Sequence, residues 1–281
     1  MKSINFIERL NLFLEAIYYD AKANENTLLF EYDPTYPETY ELDASNVIKV
    51  IENISKMFIY SQHNAKILIS FKLVSYGDNI LFFNVTISSN KPFEHKNEEL
   101  LNKALEYAKI ADISVINDKD DKIILEIKAR SVSNANFKNK LSLKDQNTKK
   151  YNAIIAYEDE VGFKILYNQL KFIGINVRPS SNYESLKRHV TDGIYKPDLI
   201  FVQKKFLDDI DKAKNLLEFK KLKNFIIVAI CEGDENFSQE LKKQIIILRQ
   251  PYTYYILNTI FTKFIKTNNG GGGDGKIVLK F

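Results

Sequence analysis

The sequence predicts an α/β chain in two parts: an N-terminal α+β mixed-sheet sandwich, followed by a doubly wound parallel sheet of five β-α units. Three observations predict it. From Tyr151 to about Asn268, short and fully apolar segments alternate with amphipathic ones five times, the pattern of a parallel sheet buried on both faces. Before that, helical spacing and apolar/polar alternation follow one another in the order α-β-α-β-β-α-β-β, which reads as a mixed sheet with helices on one face. Between the two, residues 131–150 turn polar and lose periodicity, as a linker does. The divisions are 1–130, the linker at 131–150, 151–268, and a tail at 269–281.

In the first part, Ile7, Leu10, Phe13, Leu14, Ile17 and Ala21 recur at helical spacing over residues 3 to 22, with Asn5-x-x-Glu8 as a capping pair. Thr27 to Tyr32 forms a strand, and the proline-rich stretch Asp33 to Tyr40 a loop. Asp43 leads a helix whose inner side carries Val47, Val50, Ile51, Ile54 and Met57 or Phe58. Lys66 to Val74 alternates as a half-buried strand, and Tyr76-Gly77-Asp78-Asn79 turns it into its partner, Ile80 to Ile87. A helix over Asn97 to Lys109 turns Leu100, Leu101, Ala104, Leu105 and Ala108 inward. Asp112–Ile116 and Lys122–Ile127 close this part as a hairpin.

In the second part, Ala153 to Tyr157 is a strand that runs into Glu158-Asp159-Glu160. A helix from Val161 to Ile173 stops at Gly174, the strand Ile175 to Val177 follows, and Ser181-x-x-Glu184 announces the next helix. Asp198–Gln203, Phe225–Cys231 and Ile245–Pro251 are the remaining strands. The last helix, Tyr252 to Lys266, carries Ile256, Ile260 and Phe264 beside Leu257, Phe261 and Ile265. That face is broader than packing on one sheet needs. Tyr252, Tyr254, Tyr255, Phe261 and Phe264 are therefore the candidate docking face. Asn268 to Gly275 is a flexible tether, and the apolar Lys276 to Phe281 has the length of a strand that could add to a sheet edge.

Composition excludes several classes. At 281 residues there is chain enough for two cores. A net charge of +4 with cations and anions interleaved argues against nucleic acid as the partner. A single cysteine, Cys231, rules out an intramolecular disulfide and a Cys-based zinc cage. No apolar run approaches the roughly 20 residues that span a bilayer, and Glu8, Arg9 and Asn11 interrupt any signal-peptide core. The expected compartment is the cytoplasm. His63, His95 and His189 read as surface histidines.

The five β-α units resemble the receiver domain of bacterial response regulators, over nearly its full length. The resemblance implies an acidic pair after the first strand, which Glu158 and Asp159 match. It also implies a phospho-accepting aspartate ending the third strand, where Gln203 stands. A Ser/Thr should end the fourth strand, within Ala229-Ile230-Cys231, and a lysine should precede Pro251, where Gln250 stands. A carboxylate attacks phosphorus, whereas an amide is a poor nucleophile with no charge to offer Mg²⁺. The resemblance therefore implies a retained fold and a lost phosphotransfer. Glu158 and Asp159 remain as a weak metal site short of its third carboxylate. Arg249, Lys204 or Lys205 are the cations able to stand in for the missing lysine.

The first part is similar to the catalytic, ATP-binding domain of hybrid sensor histidine kinases, through the strand Leu28 to Pro34, Asp43 and Val50 to Ile54. The resemblance implies two Mg²⁺-site asparagines on a helix. The first falls on Asn53 and the second on Met57, a thioether unsuited to a hard cation. Where an adenine-reading Asp-x-Gly is implied, Thr86 to Asn90 stands, centred on Ser88, and no glycine lies between Gly77 and Gly162. Taken together, the expectation is a catalytically inactive adaptor or regulator of two-component type, with no cofactor and no metal. Other signalling proteins are its expected partners, and homo-oligomers remain open. An atypical nucleotide or metal sensor, or a phosphorelay component modified at Glu158 or Asp159, are the alternatives.

Overall fold

Short polar side chains start most of the helices. Asn5, Asp43, Asn97, Asp159, Asn182, Asp209 and Ser238 each accept a backbone N–H from the first turn that follows, which satisfies donors that the helix itself leaves free. The computed structural model describes residues 3–93, 95–119, 121–132, 151–233 and 235–269, less the side chains of 117–119 and 262–269. The linker at 133–150 and the tail at 270–281 lie outside the described residues. Those described fall into two compact units.

The first unit runs β1 (Ser3–Asn5), α1 (Phe6–Ala23), β2 (Thr27–Tyr32), β3 (Thr39–Glu41), α2 (Ala44–Tyr60), β4 (Lys66–Gly77), β5 (Ile80–Ser89), α3 (Glu98–Ala111), β6 (Ser114–Lys119) and β7 (Lys122–Ser131). The sheet order is β1-β3-β7-β5-β4-β2, with β6 also paired to β7. Only β2 and β4 pair in parallel. At the β4–β5 turn, Asp78 and Asn79 both take positive φ, the conformation a two-residue hairpin needs and short polar side chains tolerate. Leu81, Phe83, Val85 and Ile87 of β5 face the core together with Ile123, Leu125, Ile127 and Ala129 of β7. The inner surfaces of α1 and α2 close over them.

Two details differ from the sequence reading. The helix expected from residue 3 begins at Phe6, because Ser3–Asn5 pairs with Thr39–Glu41 as an extra strand. The same pairing draws the end of the expected proline-rich loop into the sheet, where Tyr40 is buried.

The second unit runs β8 (Asn152–Ala156), α4 (Glu160–Ile173), β9 (Asn176–Ser180), α5 (Tyr183–Thr191), β10 (Leu199–Gln203), α6 (Lys204–Asp208), α7 (Ile210–Lys223), β11 (Ile226–Cys231), α8 (Gln239–Lys242), β12 (Ile245–Arg249) and α9 (Tyr254–Asn269). All its strand pairs are parallel, in the order β12-β11-β10-β8-β9. Counted from β8 this is 2-1-3-4-5, the flavodoxin-like order shared by receiver domains. Every residue of the central strand β10 is buried. Gly174 ends α4 with φ at 95°, a conformation that costs glycine little. The cap of α5 is Asn182 rather than Ser181: its side chain accepts the Ser185 N–H, one residue later than the capping pair predicted.

The core of the first unit holds two phenols. Tyr32 and Tyr40 share a hydrogen bond of 2.9 Å between their hydroxyls, and burial raises both above the ordinary tyrosine range. The unfolded chain therefore ionises them first, at about pH 10. Their contribution to stability is complete below that pH and falls as pH rises toward the folded-state values. Urea denaturation at increasing pH should show stability dropping above about pH 10, and Tyr32→Phe should shallow the drop. An unchanged slope in the variant would refute this assignment.

Candidate functional site

In an open parallel sheet, ligands gather at the carboxyl ends of the strands, where the order reverses. Here β8 and β10 flank that point, and each ends in residues the sequence singled out. Glu158 and Asp159 follow β8, Gln203 ends β10, and Cys231 ends β11. Gln203 sits opposite Ile230 of β11, one position beyond the last β8–β10 pair, Val202 with Ala156.

Gln203 is 7% exposed and both ends of its amide are engaged. Its Oε1 accepts the Glu158 backbone N–H at 3.2 Å, and its Nε2 donates to the Glu232 carboxylate at 2.9 Å. The side chain thus ties the loop after β8 to the loop after β11. Asp159 caps α4, accepting the Gly162 N–H at 3.4 Å. The Glu158 carboxylate pairs with Lys205 Nζ. Of the three cations named for that place, Lys205 is the one that pairs with Glu158. Lys204 pairs with Asp208 at 2.5 Å, and Arg249 grips Glu235 through Nε and, at 3.1 Å, through Nη2. The Lys205–Glu158 pair is 48% and 44% exposed, so it contributes at most about 1 kcal/mol and acts by placing a cation rather than by stabilising the fold.

Cys231 is fully buried and in no disulfide, its thiol placed at 3.8 Å from the Ala229 carbonyl. Gln250 follows β12 directly and is also buried. Among the described residues no group of three or more His, Cys, Asp or Glu side chains is placed to hold a metal ion. A cation at Glu158 and Asp159 would have to displace Lys205 and compete with a helix cap.

The residue that sequence reasoning missed is Glu232. It lies one position beyond the apolar run of β11, and the rule that function gathers at strand ends would have pointed to it. Glu235, the partner of Arg249, sits farther along the same loop and gives no such signal.

The candidate ATP-site residues are not brought together. Asn53 lies on α2 with its side chain donating to the Lys49 carbonyl at 2.7 Å. Met57, one turn on, is fully buried within the core. Ser88 alternates with the core residue Ile87, so it belongs to the sheet face turned away from the helices. The docking face predicted for the last helix also shrinks. Tyr252, just before the helix, is buried, and Phe261 is buried against Phe201 with ring centroids 6.2 Å apart, where the wide apolar face serves the unit's own core. Tyr254 meets Phe172 edge to face at 5.2 Å, Tyr255 remains 61% exposed, and the Phe264 side chain lies outside the described residues. His63 and His95 are exposed, and His189 is half-buried.

No family model matches the sequence, and no curated protein matches it. Among solved structures, full-length ShkA, crystallised in complex with AMPPNP, is similar with a TM-score of 0.65 at 10% identity. The alignment covers 94% of this chain and 57% of ShkA, so the chain spans little more than half of that protein's length and shares its fold there. The Acinetobacter baumannii histidine kinase AdeS matches with a TM-score of 0.34 at 13% identity, covering 47% of this chain and 68% of its own. A two-component response regulator from Clostridium difficile gives 0.36 at 18%, covering 43% of this chain and 100% of its own. The architecture is a mixed-sheet unit followed by a receiver-like parallel sheet.

Gln203→Asp should destabilise the fold by about 1–3 kcal/mol. The variant loses the donor to Glu232 and sets a second carboxylate against it, and urea denaturation at neutral pH measures the loss. Met57→Asn, which restores the residue type of the resembled family, should cost about 3 kcal/mol or more, because it buries an amide where a thioether packed. Near-wild-type stability for Met57→Asn would show that α2 has room for a polar ligand.

Proposed function

We propose that this chain is a catalytically silent regulator of two-component type, acting through protein–protein contacts and without aspartyl phosphorylation. The observation that carries the reading is the Gln203 amide, buried at the acceptor position with its oxygen and nitrogen both committed to hydrogen bonds. Nucleophilic attack on phosphorus needs an anionic oxygen and a neutralising metal. The amide supplies neither, and Lys205 already occupies the charge that a metal would meet at Glu158. Through its hydrogen bonds Gln203 would hold the loops after β8 and β11 in the arrangement seen here. The second unit would serve as a constant docking module whose partners are other signalling proteins.

A second reading is favoured by two observations. The structurally similar ShkA was crystallised with AMPPNP. In this chain a groove of about 400 Å³ beside α1 and α2 is bordered by Arg9 and Lys49 with one carboxylate, Glu52, and Leu12, Phe13 and Ile48 supply apolar lining. Its volume is that of a small-molecule site. On this reading the first unit would sense a nucleotide in a mode unlike that of the kinases.

One pair of measurements on the full chain separates the two. Incubation with Mg²⁺ and acetyl phosphate, read by intact mass, should give no phosphoryl adduct. Calorimetric titration with Mg-ATP should give no heat at millimolar nucleotide. An adduct mapping to Glu158 or Asp159 would make the protein a phosphorelay component. Micromolar heat lost in Lys49→Glu would establish the sensor instead.

A further inference from the structure

The second unit is electrically two-ended. In a parallel sheet every helix returns to the same edge, so the segments that precede the strands share one surface. Those segments, residues 170–175, 188–198, 220–225 and 241–244, hold eight Lys or Arg against two Asp. Both aspartates are committed. Asp192 accepts the Ile194 N–H at 2.9 Å and pairs with Arg178, and Asp198 accepts the Asn152 N–H at 2.8 Å. Cations in the last helical turns are expected from the helix dipole, but the number concentrated here exceeds the net charge of the whole chain, +4. The segments that follow the strands at the opposite edge, residues 157–161, 180–184, 203–211, 231–236 and 249–253, hold ten Asp or Glu against three Lys or Arg, and those three, Lys204, Lys205 and Arg249, are each paired with a carboxylate.

Two aliphatic side chains stand out of the basic edge. Ile194, between α5 and β10, is 97% exposed, and Leu222, at the end of α7, is 81% exposed. They belong to neighbouring connections: the Ile226 N–H donates to the Asp198 carbonyl, and Lys223 Nζ donates to the carbonyls of Asp192 and Tyr195, the latter at 3.2 Å. Arg178 stacks on the Tyr195 ring at 3.8 Å. The loop that presents Ile194 is thus held from both sides. Ile210 of the same unit is also exposed, at 69%, but Ile194 and Leu222 exceed it and lie on neighbouring connections of one edge.

We propose that this edge is a docking surface for an anionic lipid bilayer, with Ile194 and Leu222 entering the interface and lysines such as Lys196 and Lys221 contacting headgroups. The occupant follows from charge and shape. A single-sign field attracts an anionic surface, the acidic edge opposite orients the unit with its basic edge toward it, and exposed aliphatic tips suit acyl chains. Single-stranded nucleic acid, the other polyanion, is gripped by exposed aromatic rings, and the aromatic rings of Phe, Tyr and Trp type in these segments are taken up: Tyr195 is half-buried beneath Arg178, Phe172 half-buried against Tyr254, and Phe225 buried. The proposal does not depend on whether either unit has catalytic activity.

The test is co-sedimentation of the full chain with vesicles of phosphatidylcholine alone and of phosphatidylcholine with phosphatidylserine. Binding should appear only with the anionic vesicles and weaken with salt. Ile194→Ser/Leu222→Ser and, separately, Lys196→Glu/Lys221→Glu should each weaken it by more than about tenfold. All four positions are solvent-facing, so thermal melts should stay cooperative and exclude misfolding. They should be unchanged for the aliphatic pair and lowered only slightly for Lys196→Glu/Lys221→Glu, whose new carboxylate at position 221 stands in a last helical turn. Absence from the anionic pellet at low salt overturns the proposal. So does vesicle binding that survives Ile194→Ser/Leu222→Ser, or binding that a single-stranded oligonucleotide matches in affinity and displaces, since either marks a general polyanion surface.

Discussion

The second unit depends on what closes the end of β10. Because β10 is buried along its whole length, the polar group at its end has to be satisfied by neighbouring strands and not by water. An amide is suited to that place, since it accepts on one side and donates on the other. Gln203 takes a backbone N–H from the β8 loop and gives its own to Glu232 after β11. With the backbone of Glu158 fixed, its carboxylate stays within reach of Lys205, and the next residue, Asp159, is placed to cap α4. A carboxylate at the end of β10 could accept from the same N–H but would face Glu232 as a like charge.

Most of the architecture was legible in the sequence, and the exceptions share a cause. The five β-α units, the β4–β5 hairpin and the helix starts at Asn5 and Asp43 follow from local pattern and local hydrogen bonding. What escaped depends on partners distant in sequence. Ser3–Asn5 is a strand only because Thr39–Glu41 lies beside it. The broad apolar face of the last helix suggested surplus to be shared with a partner, yet Leu257, Ile260 and Phe261 are all buried. Periodicity tells how wide a face is without telling how much of it the unit's own core will use. At the site, the identities of Glu158, Asp159 and Gln203 were readable, while the acceptor Glu232 was not, because nothing local marks it.

The two-ended charge of the second unit arises from ordinary helix chemistry carried to an unusual degree. Asp159 and Asp209 sit at helix N-termini, where free N–H groups favour anions, and Lys171, Arg188 and Lys221 sit in last turns, where free carbonyls favour cations. In a parallel sheet all helices point the same way, so these local preferences add across the unit instead of cancelling. A weak term, repeated in register, becomes a property of the surface.

Two of the places where the resembled families require a ligand for Mg²⁺ or phosphorus, Met57 and Gln203, follow one physical pattern. A ligand must keep a lone pair free and reachable, so it is held at the edge of the core with its polar atoms unspent. Met57 spends its whole side chain on packing within the core cluster, and Gln203 spends both polar atoms on neighbouring loops. Restoring a charged or polar ligand at either position would therefore work against the fold, by burying an unsatisfied group in one case and by breaking a loop-to-loop bridge in the other. The hydrogen bonds and contacts that hold these two positions are the same ones that withhold them from a ligand. The fold and the reactivity of the resembled sites compete for the same atoms here.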